Sequence, residues 1–292
     1  METVKIAVAQ YDIGFFNQWS DYTDKLTDWV KKAADQEARL LVFPEYGSME
    51  LASLFGEAIY KDLSQQLDAM QDVYPQWLSL HCDLAKQFDV MILGASFPVR
   101  QGDGSFRNRA NLFDKNGLIG YQDKLIMTRF ENEQWLIKGT KEIKVIDTDI
   151  GKIAINICYD SEFPLIAHQQ VTAGANIILV PSCTDTEAGF HRVRIGCQAR
   201  ALENQCYVVQ SPTFGLAGWS EAVDVNTGRA SVYTPVDYGF PDDGLLIEGA
   251  IDTAEWVYAD LDLAKIALVR EEGQVFNYRD WSSQNELKIA KS

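Results

Sequence analysis

A short run of β-branched and small residues, Ile153-Ala-Ile-Asn-Ile157, stops abruptly at Cys158, and Tyr-Asp-Ser-Glu-Phe-Pro164 follows. Runs of this kind are strands covered on both faces, as in an α/β sheet, and such sheets place their ligands at the carboxyl edge of the strands. Cys158 stands at that edge. The segment from 162 to 173 has the pattern of a helix, whose amino-terminal dipole and free N–H groups would favour a thiolate and a developing oxyanion. A free cysteine is equally at home as a small buried hydrophobe. Both readings are open on this stretch alone.

The rest of the chain repeats the α/β pattern. Val4–Ala9 reads as a strand, 21–37 as a helix with Leu26, Trp29, Val30 and Ala33 at helical spacing, and Arg39–Phe43 as a buried strand ending in Pro44-Glu45. Residues 60–88 read as mostly helical with a start or kink at Pro75, 90–96 as a strand, and Asn108–Gly117 as a strand entering a hairpin turn. Lys124 follows another strand and precedes an irregular segment, 125–139, that holds Glu131 and Glu133. Asn176–Ser182 and Tyr207–Thr213 are further strands flanking a helix at 188–204; 229–236, 245–251 and 258–261 are later ones, and a helix at 263–270 has an amino-terminal cap at Asp262. A charged residue such as Glu45 or Lys124 ordinarily faces solvent.

Composition narrows the function. With 292 residues and 47% hydrophobic content the chain can bury a large core, and no linker divides it, so a single domain over 1–292 is expected, with a C-terminal extension after about 260. A formal net charge of −16 without a basic stripe argues against a nucleic-acid partner. No apolar run approaches the roughly 20 residues that span a bilayer, and the first residues read as a strand and not a leader, so a soluble cytoplasmic protein with no membrane partner is expected. The five cysteines, 82, 158, 183, 197 and 206, are scattered and read as free thiols. None of His81, His168 and His191 stands at ligand spacing, so no metal is expected. The absence of a Cys-x-x-Cys pair argues against thiol redox chemistry.

Three strand ends thus carry Glu45, Lys124 and Cys158, and here the residues resemble the nitrilase superfamily of carbon–nitrogen hydrolases. Phe43-Pro-Glu45 is similar to that family's glutamate motif, Tyr121-Gln-Asp-Lys124 to its lysine motif and Cys158-Tyr-Asp-Ser-Glu-Phe-Pro164 to its cysteine motif. Asn108–Gly117, Pro181-Ser182 and Arg200-Ala-Leu-Glu-Asn204 resemble supporting pieces in the same order, and the resemblance fades after about Pro235. It implies a four-layer α-β-β-α sandwich and a cofactor-free amidase. The substrate would be a small amide or N-carbamoyl compound, with nitrile hydrolysis and a non-catalytic binding protein of the same fold as alternatives. A homodimer or larger homo-oligomer is implied as well.

The chemistry needs these residue types. A cysteine near its ordinary pKa is mostly thiol at neutral pH, so Glu45 as base must take its proton; burial would raise that carboxyl into the useful range. Attack builds negative charge that Lys124 and the backbone N–H of Tyr159 could stabilise. The family's second glutamate, which positions substrate and lysine, is assigned here to Glu133, in the context Glu133-Gln-Trp135, ahead of Glu131. Trp135, Ser182 and Phe190 are candidates for the pocket, as is Trp219, although such aromatics more often pack a core. Arg192 and Arg194 would suit a carboxylate, and Arg200 and Glu203 read as structural partners beneath the site. Ser161-Glu162 departs from an arginine frequent in the family before Phe-Pro.

Overall fold

Alternation along the first strand sets the layering. In the computed structural model, which describes residues 3–251 and 253–290, β1 (Thr3–Asp12) turns Val4, Ile6 and Val8 to one side and Ala7, Ala9 and Tyr11 to the other. The chain continues through α1 (Trp19–Ala34), β2 (Leu40–Val42), α2 (Glu57–Tyr60) and α3 (Leu63–Phe88). Next come β3 (Met91–Leu93), β4 (Phe97–Arg100), β5 (Phe106–Asp114) and β6 (Gly117–Asp123). The second half supplies β7 (Val145–Thr148), β8 (Gly151–Ile155), α4 (Pro164–Thr172), β9 (Ile177–Ser182), α5 (Glu187–Asn204) and β10 (Tyr207–Leu216). Short strands β11 (Val225–Asn226), β12 (Ser231–Tyr233) and β13 (Leu245–Glu248) precede β14 (Glu255–Asp262) and α6 (Leu263–Glu272).

Two sheets result. One runs β14-β1-β2-β3-β5-β6, with β4 taking up the pairing of β5 where β3 stops; the other runs β7-β8-β9-β10-β12-β13. They are joined where Tyr11 and Asp12 of β1 pair with Thr213 and Phe214 of β10. Val4, Ile6, Val8, Leu40, Val42, Met91 and Leu93 face the second sheet across a shared core, while Leu41, Phe43 and Ile92 face α1 and α3. On the far side α4 and α5 cover the second sheet with Ala167, Val171, Val193, Cys197 and Ala201. This is the expected α-β-β-α sandwich, and β1-β2-β3 and β8-β9-β10 are its parallel cores. All carboxyl ends that matter therefore open on one side.

Several boundaries move, for physical reasons. The helix after Cys158 begins at Pro164 and not at 162, because a residue before proline is driven out of the helical region, and Phe163 sits at φ −107°, ψ 108°. Residues Cys158–Glu162 instead form one turn of 3-10 helix. Pro75 neither starts nor interrupts α3, which runs from Leu63 to Phe88 on an Asp62 cap accepting from the amides of Ser64 and Gln65 at 2.9 Å. Asp262 caps α6 as its position predicts, accepting from Ala264 N at 3.0 Å. Downstream of the fading motifs, β14 pairs with β1 from Thr3 to Gln10, and Leu263, Ile266 and Val269 of α6 are buried. All five cysteines are free thiols, and among the described residues no helix is long and apolar enough to cross a membrane.

Candidate active site

The three strand-end residues meet. Glu45 lies just past β2, Lys124 directly follows β6, and Cys158 lies just past β8. Each is at least 96% buried, with side chains or residues between 1% and 4% exposed. The Lys124 ammonium donates to Glu45 Oε1 and to Glu131 Oε2, both at 2.7 Å. Asn108 Nδ2 adds a bond of 2.9 Å to Glu45 Oε1, and the backbone of the same asparagine accepts from Lys124 N at 2.8 Å. Asn108 therefore holds both partners from one hairpin strand.

Of the two competing glutamates the structure brings Glu131, and not the favoured Glu133, to Lys124. Residues Glu131–Trp135 make a single turn of π-helix, so Glu131 and Trp135, four apart, share the inner side while Glu133 points out. Glu131 Oε1 accepts from the Tyr46 hydroxyl at 2.7 Å, and its Oε2 accepts from Thr128 N at 2.9 Å and Thr128 Oγ1 at 2.8 Å. Glu133 is exposed and pairs with Arg129 at 2.8 Å. Trp135 anchors the turn through its indole N–H to Leu63 O at 3.1 Å and packs its ring on Tyr46. Gly139 closes the segment: a Cβ there would lie 2.2 Å from Leu125 O. Replacing Glu131 with glutamine is expected to lower turnover by about 10²-fold, whereas Glu133→Gln is expected to stay within about twofold of wild type, both read as initial rates on one amide.

Electrostatics favour a base-assisted thiol over a preformed thiolate. Burial, reinforced by the charge on Glu45 and opposed by Lys124, pushes the Cys158 thiol well above its ordinary pKa. The expected thiolate-favouring helix terminus is absent because α4 starts six residues on. Burial also pushes the Glu45 carboxyl up to about 7, with Lys124 opposing it, Glu131 adding to it, and bonds from Lys124 and from the Cys158 thiol holding it down. Burial works against the Lys124 ammonium, yet the carboxylates of Glu131 and Glu45 prevail and hold its pKa well above the lysine range. For Glu131 the Lys124 charge prevails over burial and holds the carboxyl below its ordinary value. So one carboxylate is poised to accept a proton near neutrality and its neighbour stays ionised.

A cavity of about 750 Å³ opens over the cluster. Cys158 and Tyr159 form part of its floor, and Trp135 borders it. Cys158 has the left-handed φ of 49°, and its Sγ approaches Cys183 O at 3.8 Å. The wall also carries Glu162, Asp185, Glu221 and Asp224 against Arg129 and Arg192. Two pocket candidates lie elsewhere. Ser182, on β9 opposite Pro212, is buried with its hydroxyl toward Ser211 O, and Phe190 is wholly buried beside the Arg229 guanidinium. Trp219 packs on Phe15 and Tyr60, and Arg194 is paired with Glu248 at 2.8 Å. Arg200 is a support beneath the site, donating to Ser161 O in the cysteine turn at 3.1 Å and pairing with Glu203 at 2.6 Å. Tyr46, Asn108 and Thr128 were not singled out from sequence; Asn108 stood within a quoted hairpin, and the other two carry no local signal.

The four-layer sandwich thus gathers a cysteine, a lysine and a glutamate from three strand ends and a second glutamate from the π-turn. The carbon–nitrogen hydrolase family model matches residues 5–271, and the chain belongs to that family. It is 35% identical over 277 residues to the probable hydrolase YhcX of Bacillus subtilis, covering 95% of this chain but spanning only about half, 53%, of that protein. It is 26% identical to the omega-amidase NIT2 of Danio rerio over 93% of both chains. The structure of Saccharomyces cerevisiae Nit3, a member of branch 10 of the nitrilase superfamily, superposes with a TM-score of 0.74 at 22% identity over 92% of this chain and 94% of that one.

Proposed function

We propose that the protein hydrolyses a non-peptide carbon–nitrogen bond, in a small amide or N-carbamoyl compound, through a thioester on Cys158. The observation that carries this reading is one buried cluster in which the Lys124 ammonium bonds the Glu45 carboxylate while Cys158 lines the same cavity. Glu45 accepts the thiol proton as sulfur attacks the carbonyl carbon. Negative charge on oxygen is met by the Lys124 ammonium and by the Tyr159 N–H at the start of the turn after the strand. Glu45 then returns the proton to the departing ammonia or amine. It next takes a proton from a water that attacks the thioester carbon; the C–S bond breaks, the acid leaves, and the proton passes from Glu45 back to the Cys158 sulfur. Glu131 keeps the ammonium in place throughout.

The cavity wall, richer in carboxylates than in cations, favours neutral or cationic amides over substrates bearing carboxylates of their own. The test is ammonia release against a panel of amides, carbamoyl amines and nitriles, with mass spectrometry of the Cys158 peptide. Turnover of amides with a transient acyl adduct on Cys158 is the expected result; turnover of nitriles alone would reassign the substrate, and none at all, with no adduct, would favour a binding role. The pH profile is a second check. The base must be unprotonated to act, so kcat/KM is expected to fall as pH drops through about 7, where Glu45 takes its proton. Glu45→Gln is expected to lower the rate by about 10³-fold and to remove that limb.

A further inference from the structure

Asp160 is wholly buried two residues after Cys158 and touches neither Glu45 nor the Lys124 ammonium by a hydrogen bond. Its Oδ1 accepts from Ile126 N at 2.8 Å and Leu125 N at 3.2 Å, and its Oδ2 accepts from Leu125 N at 3.1 Å and Ile157 N at 3.2 Å. Two of these amides immediately follow Lys124, and the third immediately precedes Cys158. One carboxylate thereby ties together the backbone of two strand ends from different sheets. Three N–H donors converge on it, so the site requires acceptors alone, and an amide side chain would place its own hydrogens against a donor. The same turn holds Cys158 at φ 49°, a conformation that costs a residue with a side chain about 1 kcal/mol or more and persists only where its surroundings impose it. Ser161 Oγ, donating to Cys158 O at 2.7 Å, supports the other side of the turn.

We propose that Asp160 is the positioning residue that sets Lys124 and Cys158 at their working separation, acting through the backbone and not through substrate. The inference rests on Cys158 as nucleophile and Lys124 as its oxyanion partner. It differs from a merely structural role in what it predicts for a longer carboxylate. Asp160→Asn removes an acceptor; Asp160→Glu keeps both acceptors but displaces them by a methylene group.

The experiment measures kcat, KM and thermal melting of both variants, together with the second-order rate at which acrylamide alkylates Cys158, followed by mass spectrometry. Alkylation needs no amide turnover, so it reports on positioning even if the substrate reading fails. Both variants are expected to lose about 10²-fold in kcat with KM within about threefold, and to alkylate at least about tenfold more slowly. Asp160→Glu is expected to melt nearer to wild type than Asp160→Asn while recovering neither rate. Recovery of both rates by Asp160→Glu in step with its folded fraction would overturn the proposal, as would an Asp160→Asn protein with wild-type kcat and alkylation.

Discussion

Replacing Cys158 with alanine is expected to lower ammonia release by at least about 10⁴-fold while leaving the fold intact. The side chain is small and makes only a long contact to Cys183 O, so its loss removes one sulfur's worth of packing, about 1 kcal/mol. Among the described residues one other thiol borders the cavity. Cys183 lines the same cavity, but its thiol donates to Asn226 Oδ1 at 3.0 Å, and burial together with the charge on Glu45 pushes its pKa well up. Cys183→Ala is therefore expected to keep turnover within about tenfold of wild type. The decisive reading pairs rates with mass spectrometry of both cysteine peptides during turnover. An acyl group on the Cys183 peptide, or a Cys158→Ala enzyme working at more than about one hundredth of the wild-type rate, would assign the chemistry to a different thiol.

The parts of the site legible in sequence are those announced by a strand that stops. Glu45 and Cys158 each follow a hydrophobic run and Lys124 directly follows β6, and the strand order brings those ends together. Glu131 was illegible because its inward direction follows from a single π-turn in a segment without periodicity; the spacing of four to Trp135 was the available clue. Asp160 stood inside the cysteine motif, yet its partners Leu125 and Ile126 are 35 and 34 residues away, and nothing local points to them. Ser182 and Phe190 were drawn toward the pocket by sequence order, whereas β9 pairing and α5 packing turn them inward. The start of α4 was legible after all, since Pro164 excludes Phe163 from the helix. The fold and the place of Cys158 thus follow from local pattern, while the groups that surround the cysteine depend on contacts between distant strands.

Removing the lysine charge should reveal how that bracing works. Lys124 Nζ lies 2.7 Å from carboxylate oxygens of both Glu45 and Glu131, and all three side chains are 3% exposed or less. Breaking such a buried arrangement by deleting its cation leaves two carboxylates with no partner of opposite charge, a change worth about 3–5 kcal/mol. Lys124→Met, which keeps the apolar stem, is expected to lose that much unfolding free energy at pH 8 in urea titrations and to turn over about 10³-fold more slowly. The sign of the pH dependence separates charge from packing. In wild type the lysine charge opposes the effect of burial on both carboxyls, so its removal is expected to raise both folded-state pKa values, that of Glu45 from about 7 upward. Native-state protonation therefore stabilises the variant at low pH, and that contribution is lost as pH rises through the folded pKa values. The deficit relative to wild type should be smallest near pH 5 and largest above pH 7, and Glu131→Gln added to Lys124→Met should reduce it. A deficit independent of pH would mean that the lysine contributes packing alone and that the two glutamates do not share its charge.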